Sequence, residues 1–456
     1  MILLAALLAV AVVIWALVLA PSWVRRTRDA GGHWALAGIV YLSGPVNALI
    51  QLTYPNGQNP SGLGLVLARG NTTAAWTLAA VALLAALRSP RRGQTGVLTA
   101  LLAFYASLLV SSAVGYAPAG VSEEYLITPL LVVPFVLYAG VNWTWLAGVL
   151  RRALRALVVL SLVSVPLLPS VAFDEETGRE LFGIERIQGI TGHPNTLAVL
   201  ACFAVILELR GGRLPWLIPE LAALLVAQST TGWVALALGL LALAGGLGRS
   251  ARVISIIVAA GSIVFAVADP RLLTDFFPPE FFTFTGRTTI WQAALHGFFL
   301  DPLFGYGPNL LDPQYRATYL GVFDAAGQAH NQIVQTLGET GLVGLACLVA
   351  LLVAVLRKGV LANGPTGGLS LALVLAFAAR LLSETPLKPQ GSTATLLLVI
   401  AVLGIPAAGA AVAGLSEPEP IKLPPIPSRE KESILVAPSF GVPGPIPVLN
   451  RPRRRR

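Results

Sequence analysis

The chain of 456 residues is far more apolar than a soluble protein of its length, with 55% hydrophobic and only 12% charged residues. Soluble domains contain about 25% charged residues, so this composition excludes a soluble globular enzyme. The net charge of +9 requires no nucleic-acid partner, because basic clusters are typical of the cytoplasmic ends of membrane helices, next to an anionic lipid leaflet.

Long apolar blocks predict an all-α integral membrane protein. Each block approaches the ~20 residues that cross ~30 Å of hydrocarbon, and in lipid such a segment satisfies its backbone hydrogen bonds only as a helix. The blocks predict about thirteen spans, with an uncertainty of one or two. They lie near 2–20, 34–53, 72–87, 94–113, 125–141, 153–171, 195–209, 214–229, 231–247, 253–268, 341–356, 369–383 and 392–413.

Basic clusters orient these spans. If the spans alternate, every cluster falls on the same side, which is therefore predicted to be cytoplasmic. The N-terminus is then outside and the C-terminus cytoplasmic. The first span has no basic segment before it, so we expect a retained helix rather than a cleaved signal. The clusters are RRTR at 25–28, RSPRR at 88–92, RRALR at 151–155, RGGR at 210–213, RSAR at 249–252, RK at 357–358 and the terminal RPRRRR.

Loop lengths divide the chain into four predicted regions. The long outer loop is too rich in aromatic and apolar residues to be disordered, whereas the Pro-rich basic tail is typical of a disordered segment. The regions are an N-terminal bundle of about ten spans at 1–268 with an outer loop at 172–194, the large outer loop at 269–340, C-terminal membrane helices at 341–414, and the tail at 415–456.

Two predicted helices border the last part of the large loop. The segment RTTIWQAALHGFFL has helical spacing and is expected to lie on the membrane surface, with its apolar face formed by Ile290, Ala294, Leu295 and Phe298. The span predicted to start at Gly341 has glycines three residues apart, which favour close contact with another helix. These are Gly338, Gly341 and Gly344.

Motifs of soluble enzymes are missing from the sequence. Without a Walker A motif, ATP-driven transport by this chain alone is not expected. No Cys/His cluster has the spacing of metal ligands, and no Asp-x-Asp pair suggests a divalent ion on a nucleotide sugar. Cys202 and Cys347 both fall inside apolar spans, where they are expected to be small core residues. We therefore expect no metal and no cofactor.

Arginines on the predicted outer side are candidates for chemistry. Arg287 precedes the surface helix and is either a solvated residue at a helix start or a clamp for an anion, since guanidinium groups and helix N-termini both suit phosphate. Arg186 poses the same alternatives, with Glu185 as a neutralising neighbour. Arg380 lies inside an apolar span, where an arginine is a functional hypothesis, unless it reaches outward or pairs with Glu384.

Histidines supply a second set of candidates among only four in the chain. His330 directly precedes an apolar run, where it acts as a base or hydrogen-bond donor or caps the following span. His193 is favoured as a helix cap, because Pro194 and Asn195 are typical of a helix start. His296 lies within the surface helix and is expected to be structural.

Four motifs occur in the order GHPNTLA, STTGWVALALGLL, GRTTIWQAALHGFFLDPLFGYGPN and AHNQIVQTLGETGLVGL. Together they resemble the O-antigen ligase and polymerase superfamily, which also includes bacterial protein O-oligosaccharyltransferases. The resemblance covers roughly residues 180–360. It departs from the family at Thr230, where such proteins often have an arginine. The family is also usually read with about twelve spans and a cytoplasmic N-terminus.

The resemblance implies a multispan glycosyltransferase fold of the GT-C type. Such enzymes transfer a glycan from an undecaprenyl-pyrophosphate carrier to an acceptor on the outer face of the bacterial inner membrane. A ligase acceptor is lipid A-core or similar, a polymerase uses a second carrier-linked glycan, and an oligosaccharyltransferase uses a protein. The implied reaction is inverting and metal-independent, with arginines stabilising the pyrophosphate.

The family's functional positions match particular residues of this chain. Arg186 and Arg287 match its functional arginines, and His330 matches its functional histidine, so these three are expected to be catalytic. A second set is expected to bind pyrophosphate or glycan: Arg380, Asn331, His193, Asn195 and Tyr306.

Two alternatives of other classes remain. A flippase for lipid-linked sugars would carry charged residues along a path through several spans. Intramembrane charges are few here, essentially Glu208, Glu220 and Arg380, so the sequence favours an enzyme. A purely structural membrane protein would leave the long outer loop unexplained.

Overall fold

The computed structural model describes residues 30–53, 61–118, 124–173, 180–181, 184–246, 248, 252–253, 256–261, 287–319, 327–388 and 394–415. The chain divides into a unit of residues Met1–Ser416 and a second unit, Glu417–Arg456, that contains no described residue. The predicted span at 2–20, most of the span at 253–268 and the tail beyond Leu415 therefore lie outside the described residues.

Helices dominate the described residues, which confirms the predicted all-α class of integral membrane protein. They are α1 (Ala30–Tyr41), α2 (Asn47–Gln51), α3 (Gly62–Arg88), α4 (Thr95–Val114), α5 (Glu124–Leu137), α6 (Trp143–Leu167), α7 (Pro169–Ala172), α8 (Pro194–Leu209), α9 (Leu217–Val226), α10 (Thr230–Ala244), α11 (Arg287–Leu300), α12 (Pro313–Tyr319), α13 (Gln332–Leu361), α14 (Leu369–Leu381) and α15 (Ala394–Leu415). Two short antiparallel strands, β1 (Glu180–Leu181) and β2 (Ile184–Glu185), interrupt them.

Five helical stretches in the described part are long and apolar enough to cross a membrane: Gly31–Gln51, Gly62–Arg88, Thr95–Val114, Gln332–Leu361 and Ala394–Val412. The first of these stretches consists of α1 and α2, which are joined by a π-helical turn, Leu42–Val46, that contains Pro45. Shorter apolar helices, among them α8, α10 and α14, complete the bundle. Eleven of the predicted spans coincide with a described helix, and the total count remains a prediction.

Helix α8 forms the centre of this bundle. All of its residues are buried, because it packs against α6, α9, α10, α14 and α15. A helix that is apolar all round requires such an environment. The side chains of Asn195 and Glu208 are therefore held at fixed points at opposite ends of the bundle.

Helix α13 is kinked. Its backbone is non-helical at Gly341, with φ 62° and ψ −155°, and a Cβ there would lie 2.5 Å from the carbonyl carbon of Leu303. The span predicted to start at Gly341 is therefore the part of α13 after this break, and a further helical segment, 332–340, precedes it. The first half of α13 packs on α11, where a Cβ at Gly338 would lie 2.7 Å from the carbonyl oxygen of Ala294.

The residues of the predicted apolar face of α11 differ in burial. Ala294 is buried, but Ile290, Leu295 and Phe298 are partly exposed. Ala293 and Gly297 are buried as well, and a Cβ at Gly297 would lie 2.6 Å from Leu310 Cδ1.

Basic residues gather at one end of the bundle. Arg210 donates to the carbonyl of Thr366 at 2.9 Å, and Arg151 donates to Gly211. Arg91 is buried and donates to the carbonyl of Phe135 at 3.2 Å, at the end of α5. Lys358, in the last turn of α13, lies at the same end and donates to the carbonyl of Gly93. The candidate site residues lie at the other ends of α8, α13 and α14.

Candidate functional site

The site begins where α8 starts. His193 is the N-cap of α8, and its Nδ1 accepts from the backbone N–H of Asn195 at 3.1 Å. This is the capping role that the sequence favoured. Because His193 caps the helix, the side chain of Asn195 is free to bond to Arg186, Ser229 and Glu384.

Asn195 connects four groups. Its Oδ1 accepts from Arg186 Nη2 at 2.7 Å and from Ser229 Oγ at 2.9 Å. Its Nδ2 donates to Glu384 Oε1 at 2.7 Å, and its backbone carbonyl accepts from Arg380 Nη1 at 3.2 Å. One amide therefore fixes the relative positions of two guanidinium groups and one carboxylate.

Glu384 is the centre of the cluster, and its side chain is almost fully buried. Its Oε2 lies 2.9 Å from His330 Nδ1, and its Oε1 lies 3.7 Å from Arg380 Nη1 and 4.0 Å from Arg287 Nη2. Burial by itself raises the pKa of this carboxyl, but Arg380 and then His330 outweigh that effect and hold the pKa below its usual range. The group is therefore a carboxylate at neutral pH.

Two arginines, Arg380 and Arg287, lie within 4.0 Å of this carboxylate, and a third, Arg186, is linked to it through Asn195. Arg186 and Arg380 are buried, and Arg186 also donates from Nε to the carbonyl of Ala227 at 3.0 Å. Arg380 is paired with Glu384 rather than extended outward, and within the described residues its Nε has no hydrogen-bond partner. Arg287 is the accessible one, with its side chain 24% exposed and one bond to Ser383 O at 3.3 Å. The cluster therefore has an excess of positive charge.

His330 is held in a strained backbone conformation, with φ 48°. A positive φ in a residue other than glycine is uncommon and is typical of functional sites, where surrounding contacts maintain it. Because a carboxylate only accepts hydrogen bonds, contact with Glu384 places a proton on Nδ1 of the neutral ring and leaves Nε2 as an acceptor. The His330 side chain is 19% exposed.

Two imidazoles stand side by side in the site. The ring of His193 lies 6.4 Å from that of His330, centroid to centroid. Burial chiefly, opposed in part by Glu384, lowers the pKa of His193 to about 4. Since its Nδ1 accepts a backbone bond, the neutral ring carries its proton on Nε2, as a hydrogen-bond donor.

Asn331, not His330, caps the helix that follows. Its Oδ1 accepts from the backbone N–H groups of Ile333 at 2.9 Å and Val334 at 3.2 Å. Its Nδ2 donates to the carbonyl of Leu382 at 3.2 Å. The interpretation of His330 as a mere cap is therefore wrong, and the amide of Asn331, expected to bind substrate, is engaged in positioning the loop.

Tyr306 is the one expected binding residue that the structure does not bring to this cluster. Its backbone N–H donates to Gly338 at 2.8 Å, further along α13. Its ring packs against those of Tyr116 and Tyr315, with centroids 5.7 and 4.6 Å away.

Two members of the cluster were missing from the residues expected to be functional. The sequence suggests Glu384 only as a partner for Arg380, although a carboxylate four residues after an intramembrane arginine is an available signal. No sequence signal singles out Ser229. Ser229 caps α10, accepting from Gly232 N at 3.3 Å, and donates to Asn195.

The arrangement suits an anion. Guanidinium groups bind phosphate oxygens through charge-assisted and often paired hydrogen bonds. Among the described residues, no group of three or more His, Cys, Asp or Glu side chains has the arrangement of a metal site. The chemistry available from these side chains is therefore charge stabilisation by arginines and proton or hydrogen-bond transfer by imidazole.

Comparison with known proteins identifies one family. Residues 216–349 match the family model described as O-antigen ligase, while no curated protein matches the chain. The matched segment contains Arg287 and His330, whereas Arg186, Asn195 and Glu384 lie outside it. The match confirms the resemblance to the O-antigen ligase superfamily, which implies that this multi-pass membrane protein is a glycosyltransferase-like enzyme.

Proposed function

We propose that the protein transfers a glycan from an undecaprenyl-pyrophosphate carrier to an acceptor at the outer face of the bacterial inner membrane. The observation that carries the proposal is the cluster around Glu384, in which one carboxylate faces two guanidinium groups and is linked to a third through Asn195. The leaving group of this reaction is a lipid pyrophosphate with at least two negative charges. Preorganised positive groups stabilise such charge as it develops in the transition state.

Arg287 is the group that contacts the pyrophosphate in this proposal. A guanidinium carries five N–H donors, and the bonds of Arg287 within the cluster are long, at 3.3 Å to Ser383 and 4.0 Å to Glu384. Donors therefore remain for phosphate oxygens. The buried Arg186 and Arg380 contribute positive potential, and Arg186 also orients Asn195.

His330 is the group that meets the acceptor. The acceptor hydroxyl attacks the anomeric carbon, the bond from that carbon to the phosphate oxygen breaks, and the configuration inverts. His330 Nε2 accepts the hydrogen bond of the attacking hydroxyl and takes its proton as the bond forms. Glu384 holds Nδ1–H and stabilises the positive charge that the ring then carries.

The placement of the cluster supports an outer-face reaction. His193, His330 and Arg380 lie at the ends of α8, α13 and α14 opposite Arg210 and the last turn of α13 with Lys358. Basic loops face the cytoplasm. With the candidate site at the other end, both substrates keep their lipid tails in the bilayer and present their head groups to the cluster, and the C-terminus is cytoplasmic.

The test uses purified protein in proteoliposomes with a defined undecaprenyl-pyrophosphate glycan and EDTA present. Three acceptors are supplied separately: lipid A-core, a second carrier-linked glycan and a serine-containing peptide. Released lipid pyrophosphate and modified acceptor are measured for the wild type, Arg287→Ala and His330→Ala. We expect transfer to lipid A-core in EDTA and a loss of about 10²-fold or more in Arg287→Ala, given the effect of one charge-stabilising donor.

Arg213→Ala is the matched control, because it removes an exposed guanidinium from the basic end of the bundle. It is expected to retain wild-type transfer. Full activity in both Arg287→Ala and His330→Ala would overturn the site assignment. Modification of another acceptor in place of lipid A-core would make the protein a polymerase or a protein glycosyltransferase. Movement of the carrier across vesicles without any transfer would identify a flippase.

A further inference from the structure

The segment that follows α14 is attached to the first half of α13 and to the loop before it. Thr385 Oγ donates to Gln328 Oε1, and the backbone N–H of Leu387 donates to Gln332 Oε1 at 3.0 Å. Lys388 Nζ lies 2.6 Å from Glu339 Oε1. These contacts hold the segment that begins with Glu384 along the length of the first half of α13.

The Lys388–Glu339 ion pair is deeply buried. The two side chains are only 6% and 3% exposed. Removing charges from water costs several kcal/mol for each ion, and only close pairing offsets it. Polar groups at such depth in a membrane protein are functional hypotheses, yet neither residue touches the Glu384 cluster.

The ion pair lies at the C-terminal end of the first half of α13, where hydrogen bonds hold the backbone in place. Glu339 is two residues before the kink at Gly341, and its backbone carbonyl accepts from Ser111 Oγ at 2.5 Å and from the N–H of Gly307 at 3.0 Å. At the other end of the same half, Gln335 Oε1 accepts from the N–H of Ala329 at 2.6 Å. The first half of α13 therefore connects the kink to the loop that contains His330.

We propose that the Lys388–Glu339 ion pair sets the distance between Glu384 and His330, so that both members of the pair are positioning residues for the proposed transfer. His330 lies just before the start of α13. Glu384 precedes Lys388 by four residues, in the segment that is attached to the first half of α13. Without the ion pair, the segment that begins with Glu384 shifts along the first half of α13. The 2.9 Å contact between His330 Nδ1 and Glu384 Oε2 is then lengthened. This inference rests on the proposed function for its kinetic consequences.

The experiment compares Glu339→Gln, Lys388→Met and the charge-reversed double variant Glu339→Lys/Lys388→Glu. We expect kcat to fall about 10- to 100-fold in each single variant, as for loss of a residue that orients a reacting group. The KM for the carrier-linked donor is expected to stay within about twofold, because the groups that meet pyrophosphate are untouched. The reversed pair is expected to recover part of the lost kcat.

A second readout does not depend on turnover. With only four histidines in the chain, selective labelling of histidine gives few ring signals, and His330→Asn identifies the signal of His330. We expect that signal to shift in Glu339→Gln and in Lys388→Met. Glu339→Asp, which keeps the charge but withdraws it by one methylene, is expected to shift it less and to lower kcat several-fold, even if the other variants do not fold.

Glu208→Gln is the matched control. Glu208 forms a buried ion pair with Arg155 at the opposite end of α8, so its loss tests destabilisation alone. We expect lower thermal stability in Glu208→Gln with an unchanged kcat and an unchanged His330 signal. Wild-type kcat and His330 signal in the variants of Glu339 would overturn the inference. Absence of transfer by the wild type would overturn the proposed function, while the NMR signal would still decide the positioning role.

Discussion

The two ends of α8 carry buried charges with opposite balances. At the end of the helix, Glu208 pairs with Arg155 and accepts from the backbone N–H of Arg213 at 2.8 Å, and Glu220 is buried close by. The buried carboxylate of Glu208 thus has its own arginine partner there. At the start of the helix, Asn195 and the single carboxylate of Glu384 face three arginines.

This difference separates a structural ion pair from a site prepared for a ligand. Paired charges in a low-dielectric interior offset each other's desolvation cost, so such a pair needs no ligand to balance its charge. A cluster with surplus guanidinium groups is stable only because the backbone carbonyls of Ala227, Ser383 and Asn195 share the charge. Under the proposed function, an incoming phosphate replaces these carbonyl partners with charged oxygens at little cost in reorganisation. Four predictions test this contrast.

The largest effect is expected from removing the carboxylate charge at each end of α8. Glu384→Gln and Glu208→Gln both leave an arginine without its counter-charge, so each is expected to lower the free energy of unfolding by about 3 kcal/mol. Glycan transfer is expected to fall about 10²-fold or more in Glu384→Gln only, because only there does an imidazole lose its partner. Denaturant unfolding in micelles and the transfer assay measure the two quantities. Equal transfer by both variants would contradict the contrast.

The second prediction concerns pH and is specific to the start of α8. The pKa of His193 is about 4 in the folded chain against 6.5 for the free side chain. The unfolded state therefore binds the proton first, and stability is complete above pH 6.5 and decreases as pH falls towards 4. The total loss is about 3 kcal/mol, with about 2 kcal/mol of it between pH 7 and 5.

Unfolding free energies measured across this range test the titration of His193. His193→Asn keeps a side chain that caps helices well but does not titrate. Its slope of stability against pH is expected to be flatter than that of the wild type. An identical slope in both proteins would assign the pH dependence to other groups.

The third effect is binding of an anion to the cluster. Inorganic pyrophosphate is expected to raise the thermal unfolding temperature of the wild type, because a ligand that binds only the folded state stabilises it. Arg287→Ala is expected to weaken this binding about tenfold, since one charge-assisted contact is lost. Arg213→Ala is expected to leave it unchanged. Stabilisation that is equal in all three proteins would show that pyrophosphate binds elsewhere.

The smallest effect is expected at Glu220. Its side chain is fully buried, and neither oxygen has a hydrogen-bond partner within the described residues. Glu220→Gln removes no hydrogen bond and keeps the shape of the side chain, so we expect a change in stability below about 1 kcal/mol and no change in transfer. A large loss of stability in denaturant unfolding would show that the charge of Glu220 belongs to the Arg155–Glu208 network.

Helix positions were predictable because lipid leaves an apolar segment few alternatives. Eleven predicted spans coincide with described helices, and the capping role of His193 followed from the residues after it. Gly341 was predictable as the edge of an apolar block, but the helical segment 332–340 before it was not. That segment contains polar residues, and its packing on α11 is a tertiary contact.

The sequence by itself determined the membrane class, the resemblance to the O-antigen ligase superfamily and the residue types that the site contains, because apolar length and motif order are local properties of the chain. The tertiary structure alone decided which of these residues meet. Asn195 and Glu384 are 189 residues apart, and their contact depends on α8 and α14 packing with both site ends on one side. The sequence predicted Tyr306 as a binding residue equally with Asn195. Its backbone N–H instead bonds to Gly338 in α13, and its side chain lies away from the cluster.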